Sequence, residues 1–133
     1  MTTQTQTSPA LQIAHEIAQL CRQDKNLEAI EKFYSKDIVS IEVCGNEEMP
    51  ARMEGIDAIK GKNKWWLENH EVHDGQTLGP FPHGDRFILF FNYDITPKTG
   101  PMAGKRMKIQ EAGLYTVEDG KVVKEEFFYD MGA

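Results

Sequence analysis

The sequence predicts a single α+β domain in which a cone-shaped, curved antiparallel sheet wraps around three N-terminal helices. Three observations carry this expectation. The chain has 133 residues, the length of one domain. Apolar residues at helical spacing crowd into its first part, and strand-like alternation fills the rest. Helices followed by a run of strands argue for an antiparallel meander and against a βαβ parallel sheet.

Each element has a local reason. Ser8 suits a helix cap and Pro9 the first helical turn. Leu11, Ile13, Ala14, Ile17, Ala18, Leu20 and Cys21 then form one apolar stripe. Arg22-Gln23-Asp24-Lys25-Asn26 interrupts it, and a second short helix carries Leu27, Ile30, Phe33 and Tyr34 and ends near Lys36-Asp37. So short a break packs the two as a helical hairpin. Residues 38–43 are β-branched in the main and read as a strand. Gly45-Asn46-Glu47-Glu48 turns the chain, and residues 49–54 form a short strand or a loop. Gly55 and Asp57 open a third helix over 56–69, with a stripe of Ile59, Asn63, Trp66 and His70 and with Ala58, Lys62 and Trp65 alongside.

The remainder reads as β. Residues 71–78 form a strand closed by Gly79-Pro80-Phe81-Pro82, and 86–96 form the strongest strand in the chain. Pro97-Lys98-Thr99-Gly100-Pro101 cannot continue a ladder and makes a loop. Strands at 106–117 and 122–129 flank a turn at Glu118-Asp119-Gly120-Lys121, and Met131-Gly132-Ala133 frays. Residues 1–8 are expected to be a disordered tail and 9–131 one domain, with no internal repeat or linker.

Side chains alternate across a strand, so each strand offers a choice of faces. Phe87, Leu89, Phe91, Tyr93 and Ile95 make the cleaner inner face of 86–96, and Asn92 and Asp94 fall outside. A three-residue loop with Gly120 left-handed sets Val117 opposite Val123, Tyr115 opposite Glu125, Gly113 opposite Phe127 and Glu111 opposite Tyr129. A two-residue turn would mismatch the apolar faces, so the longer loop is preferred. Glu111 and Glu125 then point into an apolar, aromatic interior. An unpaired carboxylate there costs several kcal/mol or takes up a proton, so each needs a hydrogen-bond partner, for which Tyr115 and Tyr129 are candidates, or a task. The two sit four strand residues apart, roughly 13 Å, which exceeds the span of a two-carboxylate glycosidase.

Composition excludes several classes. The net charge is −6 with basic residues scattered among acids, which argues against nucleic-acid partners and against attraction to anionic membranes. No run is long and apolar enough to span a bilayer, and the Thr/Gln-rich start has no apolar leader segment. Cys21 and Cys44 have no metal-type spacing and read as two small buried hydrophobes rather than a disulfide. A reducing, cytoplasmic setting fits. Nucleophile-elbow, P-loop and dinucleotide motifs are absent from the sequence, so no cofactor is expected. His70 and His73 span a helix-to-strand break, so no metal site is expected there either.

With these residues in view, the pattern resembles the nuclear transport factor 2-like superfamily, in its SnoaL-like and ketosteroid isomerase-like branches. The likeness rests on Leu27-Glu28-Ala29-Ile30 through Phe33-Tyr34-Ser35-Lys36-Asp37 to Ile41-Glu42-Val43-Cys44-Gly45. It also rests on the helix opening Gly55-Ile56-Asp57-Ala58-Ile59 and the final Glu118-Asp119-Gly120-Lys121-Val122-Val123. It spans about residues 9–130. The superfamily hosts isomerases, cyclases, dehydratases and non-catalytic binders, so the fold follows from it and the reaction does not. The resemblance sets Glu42 where the isomerase keeps its aspartate base. The isomerase's two oxyanion donors land on Ala18 and near Ala112 or Gly113, where neither side chain can donate.

Three expectations compete. The first is a cofactor-independent acid–base enzyme acting on a small apolar carbonyl or cyclic compound. Glu42, Glu125 and His70 would be its catalytic candidates, and Tyr34, Trp66, Phe91, Glu111, Tyr115, Phe127 and Tyr129 would contact the ligand. The second is a binding module with the same pocket and no chemistry. The third is a dimerisation domain with its hollow filled by Trp66, Phe91 and Phe127. One of Trp65 and Trp66 is expected in the core and the other at the pocket mouth or a subunit contact. Ile88, Phe90, Leu114, Val122 and Phe128 are expected on the outer sheet face, as the surface of a homodimer.

Overall fold

Ser8 begins the first element by accepting a hydrogen bond from the Leu11 amide at 3.1 Å, which satisfies one orphan donor of the helix start. Helix α1 (Pro9–Arg22) buries Ala10, Ile13, Ala14, Ile17 and Ala18, the stripe read from the sequence. The computed structural model describes residues 8–130. Apart from Ser8, the tail expected over 1–8 lies outside the described residues, as do Met131-Gly132-Ala133.

Helix α2 (Asn26–Phe33) follows a break at Asp24, whose φ is 59°. It is shorter than expected. Tyr34 is already extended, with φ −83° and ψ 140°, and opens strand β1 (Tyr34–Ile41). There it pairs with Val122 and is buried. Helix propensity over 34–37 is worth only tenths of a kcal/mol per residue, so sheet pairing and burial of a tyrosine override it. Strand β2 (Arg52–Glu54), helix α3 (Ile56–Asn69), and strands β3 (His70–His83), β4 (Arg86–Pro97), β5 (Met107–Glu118) and β6 (Lys121–Tyr129) complete the chain. The third helix and strands β4 to β6 fall within a residue of where the sequence puts them, whereas β3 is longer than the strand expected over 71–78 and takes in the expected turn at Gly79-Pro80-Phe81-Pro82.

The six strands form one sheet in the order β2-β1-β6-β5-β4-β3. It is curved and unclosed, and it is mixed rather than wholly antiparallel: β1 runs parallel to β6. Alternation in the sequence reports faces, not partners, so this pairing of the two ends of the chain was not readable from it. Strand β3 also runs past Gly79, through a cis Gly79–Pro80 peptide and a register shift between Leu78 and Phe81. As the outermost strand it has one unpaired edge, where prolines without an N–H are tolerated.

The β5–β6 hairpin corrects the expected turn. Glu118 pairs with Lys121, leaving the two-residue loop Asp119-Gly120, with φ of 50° and 77°. This is the primed-turn geometry favoured between twisted strands. The register then shifts so that Val117 faces Val122 and Thr116 faces Lys124, with Val123 the extra residue. The bulge restores Tyr115–Glu125, Gly113–Phe127 and Glu111–Tyr129 as expected. It also turns Val122 fully inward, so Val122 does not belong to the outer face. Cys44 is a further correction: it is exposed, whereas Cys21 is half-buried beside the core.

The core fills the hollow of the sheet. Phe87, Leu89, Phe91, Tyr115, Val117 and Val122 meet Ile13, Ile17, Ile30, Phe33 and Ile59 from the helices. Among the described residues no helix is long and apolar enough to cross a membrane.

Candidate functional site

Three helices cannot fill the whole of so wide a curve, and a cavity of about 830 Å³ remains between them and the sheet. That is within the range of small-molecule pockets. Ile17, Cys21, Ile30, Ile59 and Trp66 line it from the helices, and Phe91, Tyr93, Tyr115 and Phe127 from the sheet. Gly113 lets two of these rings lie close to the backbone. A Cβ there would come within 2.9 Å of the Tyr115 ring and 3.1 Å of Phe127. Tyr115 in turn stacks on Phe87 with centroids 4.9 Å apart.

Charged groups collect in this apolar chamber. Glu125 is 2% exposed, placed inward by the bulge in β6. Tyr34 donates a short hydrogen bond to its Oε2, and Ser40 donates to Oε1 at 2.8 Å. Lys62, one face of α3, brings Nζ to 3.6 Å from Oε1 and donates to Ser40 Oγ at 2.5 Å. The same ammonium lies 4.0 Å from Glu42 Oε1 and 5.0 Å from the centre of the Phe127 ring. Glu125 is therefore surrounded by donors, as a buried charge must be.

Glu42 and Glu111 are not so well served. Glu42 follows the last residue of β1, and its Oε2 is buried with no hydrogen-bond partner. Burial raises its pKa above the usual carboxylate value, Lys62 opposes the rise and Glu125 adds to it. Glu111 is pushed up to about 7, first by burial and then by Glu42, with Lys62 pulling the other way and Glu125 adding a little more. The Tyr34 and Tyr115 hydroxyls are held well above the ordinary phenol value, chiefly by burial and then by Glu125. They remain donors at any physiological pH. Burial, with Glu125 adding, pushes the Cys21 thiol up to about 12, so it is a wall group and not a nucleophile.

The chamber thus brings together Glu42, Glu125, Tyr34, Trp66, Phe91, Glu111, Tyr115 and Phe127. Two expected site residues fall elsewhere. His70 begins β3, its Nδ1 sits 2.8 Å from the Trp66 carbonyl oxygen, and its ring stacks on Trp66 at 4.7 Å. The helix ends one residue short of His70, where the backbone turns extended, so His70 leaves the Ile59–Trp66 stripe, braces a wall and does not reach the chamber. Tyr129 faces Glu111 across the strands but is outside the lining, tied by a hydrogen bond to the Val43 backbone. His73 contacts Thr96 Oγ1 at 2.7 Å, so the two histidines engage different elements. Neither tryptophan is fully buried; Trp66 lines the cavity and Trp65 meets His70 edge-on. Sequence reasoning missed Lys62 and Ser40 as site residues. The one available signal was that Lys62 lies beside the Ile59–Trp66 stripe.

A curved, unclosed sheet wrapped over three helices gives the chain the NTF2-like fold. The chain belongs to the SnoaL-like domain family, whose model matches residues 8–129. Among solved structures it is similar to a candidate SnoaL-like polyketide cyclase from Mesorhizobium loti. The two are 42% identical, with a TM-score of 0.82 and 89% of this chain and 97% of that one covered. An NTF2-like protein of unknown function from Burkholderia pseudomallei shares the fold at 12% identity and TM-score 0.70, covering 92% of each chain. So does a hypothetical protein with a ketosteroid isomerase-like fold from Catenulispora acidiphila, at 18% identity and TM-score 0.67, with 90% of this chain and 85% of that one covered. No curated protein matches the sequence significantly.

Proposed function

We propose that this domain is a cofactor-independent acid–base enzyme of isomerase, cyclase or dehydratase type, acting on a small, largely apolar carbonyl compound. The observation that carries the reading is the pairing of two imperfectly satisfied carboxylates with an aromatic chamber of ligand size. Glu42 offers a buried, unpartnered oxygen, and Glu111 is held near 7, the range in which a group can both take and give a proton. In this reading Glu42 is the base, Glu111 receives or returns the proton, and Tyr34 with Glu125 fixes the floor. A cytoplasmic setting and a homodimer through the outer sheet face belong to the same reading.

Hydrogen–deuterium exchange at the carbon beside a ketone tests it. Small cyclic ketones incubated with the protein in D2O, followed by NMR, should exchange faster than in buffer. Glu42→Gln should lower the enzymatic rate by roughly 100-fold or more, the usual contribution of a general base. If ketones raise the melting temperature but never exchange, the domain is a binding module and the catalytic reading fails.

A further inference from the structure

Taking a proton from the carbon beside a carbonyl moves an electron pair onto the carbonyl oxygen. That growing charge needs a donor held in place beforehand. The Tyr34 hydroxyl, which lines the chamber, and the Ser40 hydroxyl, buried beside it, both donate to Glu125. We propose that Lys62 is the electrophilic partner of Glu42: its ammonium group receives the carbonyl oxygen of a neutral, enolisable ligand and holds the charge that forms there. This rests on the acid–base reading above and specifies how the ligand must lie.

The placement of Lys62 supports the role. Lys60 and Lys64 also border the cavity, but they are more exposed and lean towards Glu31 and Glu68 at the surface. The Lys62 side chain is only 16% exposed. An ammonium has three protons. Ser40 takes one at 2.5 Å, while Glu125 at 3.6 Å and Glu42 at 4.0 Å are beyond the 2.7–3.2 Å of a formed N–H···O bond. Ser40 and Glu125 therefore pin the group without exhausting it, and the Phe127 ring supports it from one side.

Charge bookkeeping favours the same geometry. Glu42, Glu111 and Glu125 share the floor with Lys62, so a ligand already negative would be repelled. A neutral ketone is not. When its carbon-bound proton passes to Glu42, that carboxylate becomes neutral as the ligand oxygen becomes negative. The C–H electron pair becomes the enolate C=C bond, and the carbonyl π pair ends on oxygen. The negative charge moves from one neighbour of Lys62 to another and none is created, so the ammonium stabilises the ligand oxygen most once Glu42 no longer competes.

Substituted phenols, which resemble an enolate in shape and charge, test the assignment. In Glu42→Gln, a neutral stand-in for the protonated base, bound 4-nitrophenol should be mostly ionised by absorbance, with the anion preferred at least about tenfold over its fraction in buffer. Lys62→Met in that background should abolish the preference. Since Lys62→Met leaves Glu125 without its cation, Lys62→Met/Glu125→Gln serves as the charge-balanced control and should behave alike. In the deuterium assay Lys62→Met should slow exchange about 100-fold, the usual loss for one such donor, with ketone affinity little changed, as for a contact made mainly in the transition state. A bound phenol that is neutral in Glu42→Gln, or an anion preference surviving in both Lys62 variants, overturns the proposal. Exchange by the wild type that is indifferent to Lys62 overturns this role and leaves the acid–base reading standing. Absence of wild-type exchange is the separate failure of that reading.

Discussion

Glu111 couples protonation inside the chamber to the stability of the fold. Its pKa is about 7 in the folded chain against 4.5 for the free side chain, with burial the largest cause. Between those two values the folded state holds the proton more tightly than the unfolded chain does. Stability therefore falls as pH rises from about 4.5 through 7, by on the order of 3 kcal/mol for a shift of this size. Glu111→Gln, neutral throughout, should lose this dependence and be more stable than the parent at pH 8 but not at pH 4.5. Urea denaturation at the two pH values measures it, and an unchanged slope in the variant would refute the assignment. Strand alternation was enough to find Glu111 and Glu125, because an acid interrupting an aromatic face is conspicuous. Lys62 was not conspicuous: a lysine on a helix reads as solvated, and only the inward turn of Glu125 makes it an interior cation. Ser40 is similarly ordinary in sequence and fully buried in the fold.

At the level of elements, the β5–β6 hairpin shows what a pattern can and cannot determine. Matching apolar faces was enough to place Tyr115 opposite Glu125, because a one-residue slip would carry every side chain to the other face. The loop length was not determined, because a bulge at Val123 achieves the same match with a shorter turn. That turn needs positive φ at Gly120, which is 77°. Gly120→Ala should cost about 1–2 kcal/mol, the penalty for placing a side chain in the left-handed region. Its Cβ would meet nothing within 4 Å, so the loss should come from backbone strain alone and leave ligand affinity unchanged. Chemical denaturation with a parallel ligand titration tests both parts, and a variant as stable as the parent would contradict the turn assignment. The α2–β1 boundary and the parallel β1–β6 pair were illegible for a related reason. Both depend on contacts between chain segments some 90 residues apart, such as Tyr34 with Val122, which no local window contains.

On the scale of the whole molecule, the sheet has a second face that the helices do not cover. Leu78, Phe90, Ala112 and Phe128 are successive cross-strand neighbours over β3, β4, β5 and β6, so they form one continuous row. Phe128 is 53% exposed and Phe90 37%, and Phe81, 53% exposed, meets Phe90 edge-on. An apolar row of this kind is more than a monomer ordinarily leaves in water, and polar Asn92 and Asp94 lie to one side of it along β4. We propose a second copy as its cover, because a two-fold mate presents the same apolar residues on both sides of the contact. Sedimentation equilibrium at micromolar concentration should give a dimer, and Phe90→Glu with Phe128→Glu should give a folded monomer. The chamber opens on the opposite face of the sheet, so the monomer should bind ligand with unchanged affinity. A wild-type chain that sediments as a monomer would remove the dimer and leave the chamber chemistry untouched. A double variant that loses binding together with its partner would instead mean that association shapes the pocket.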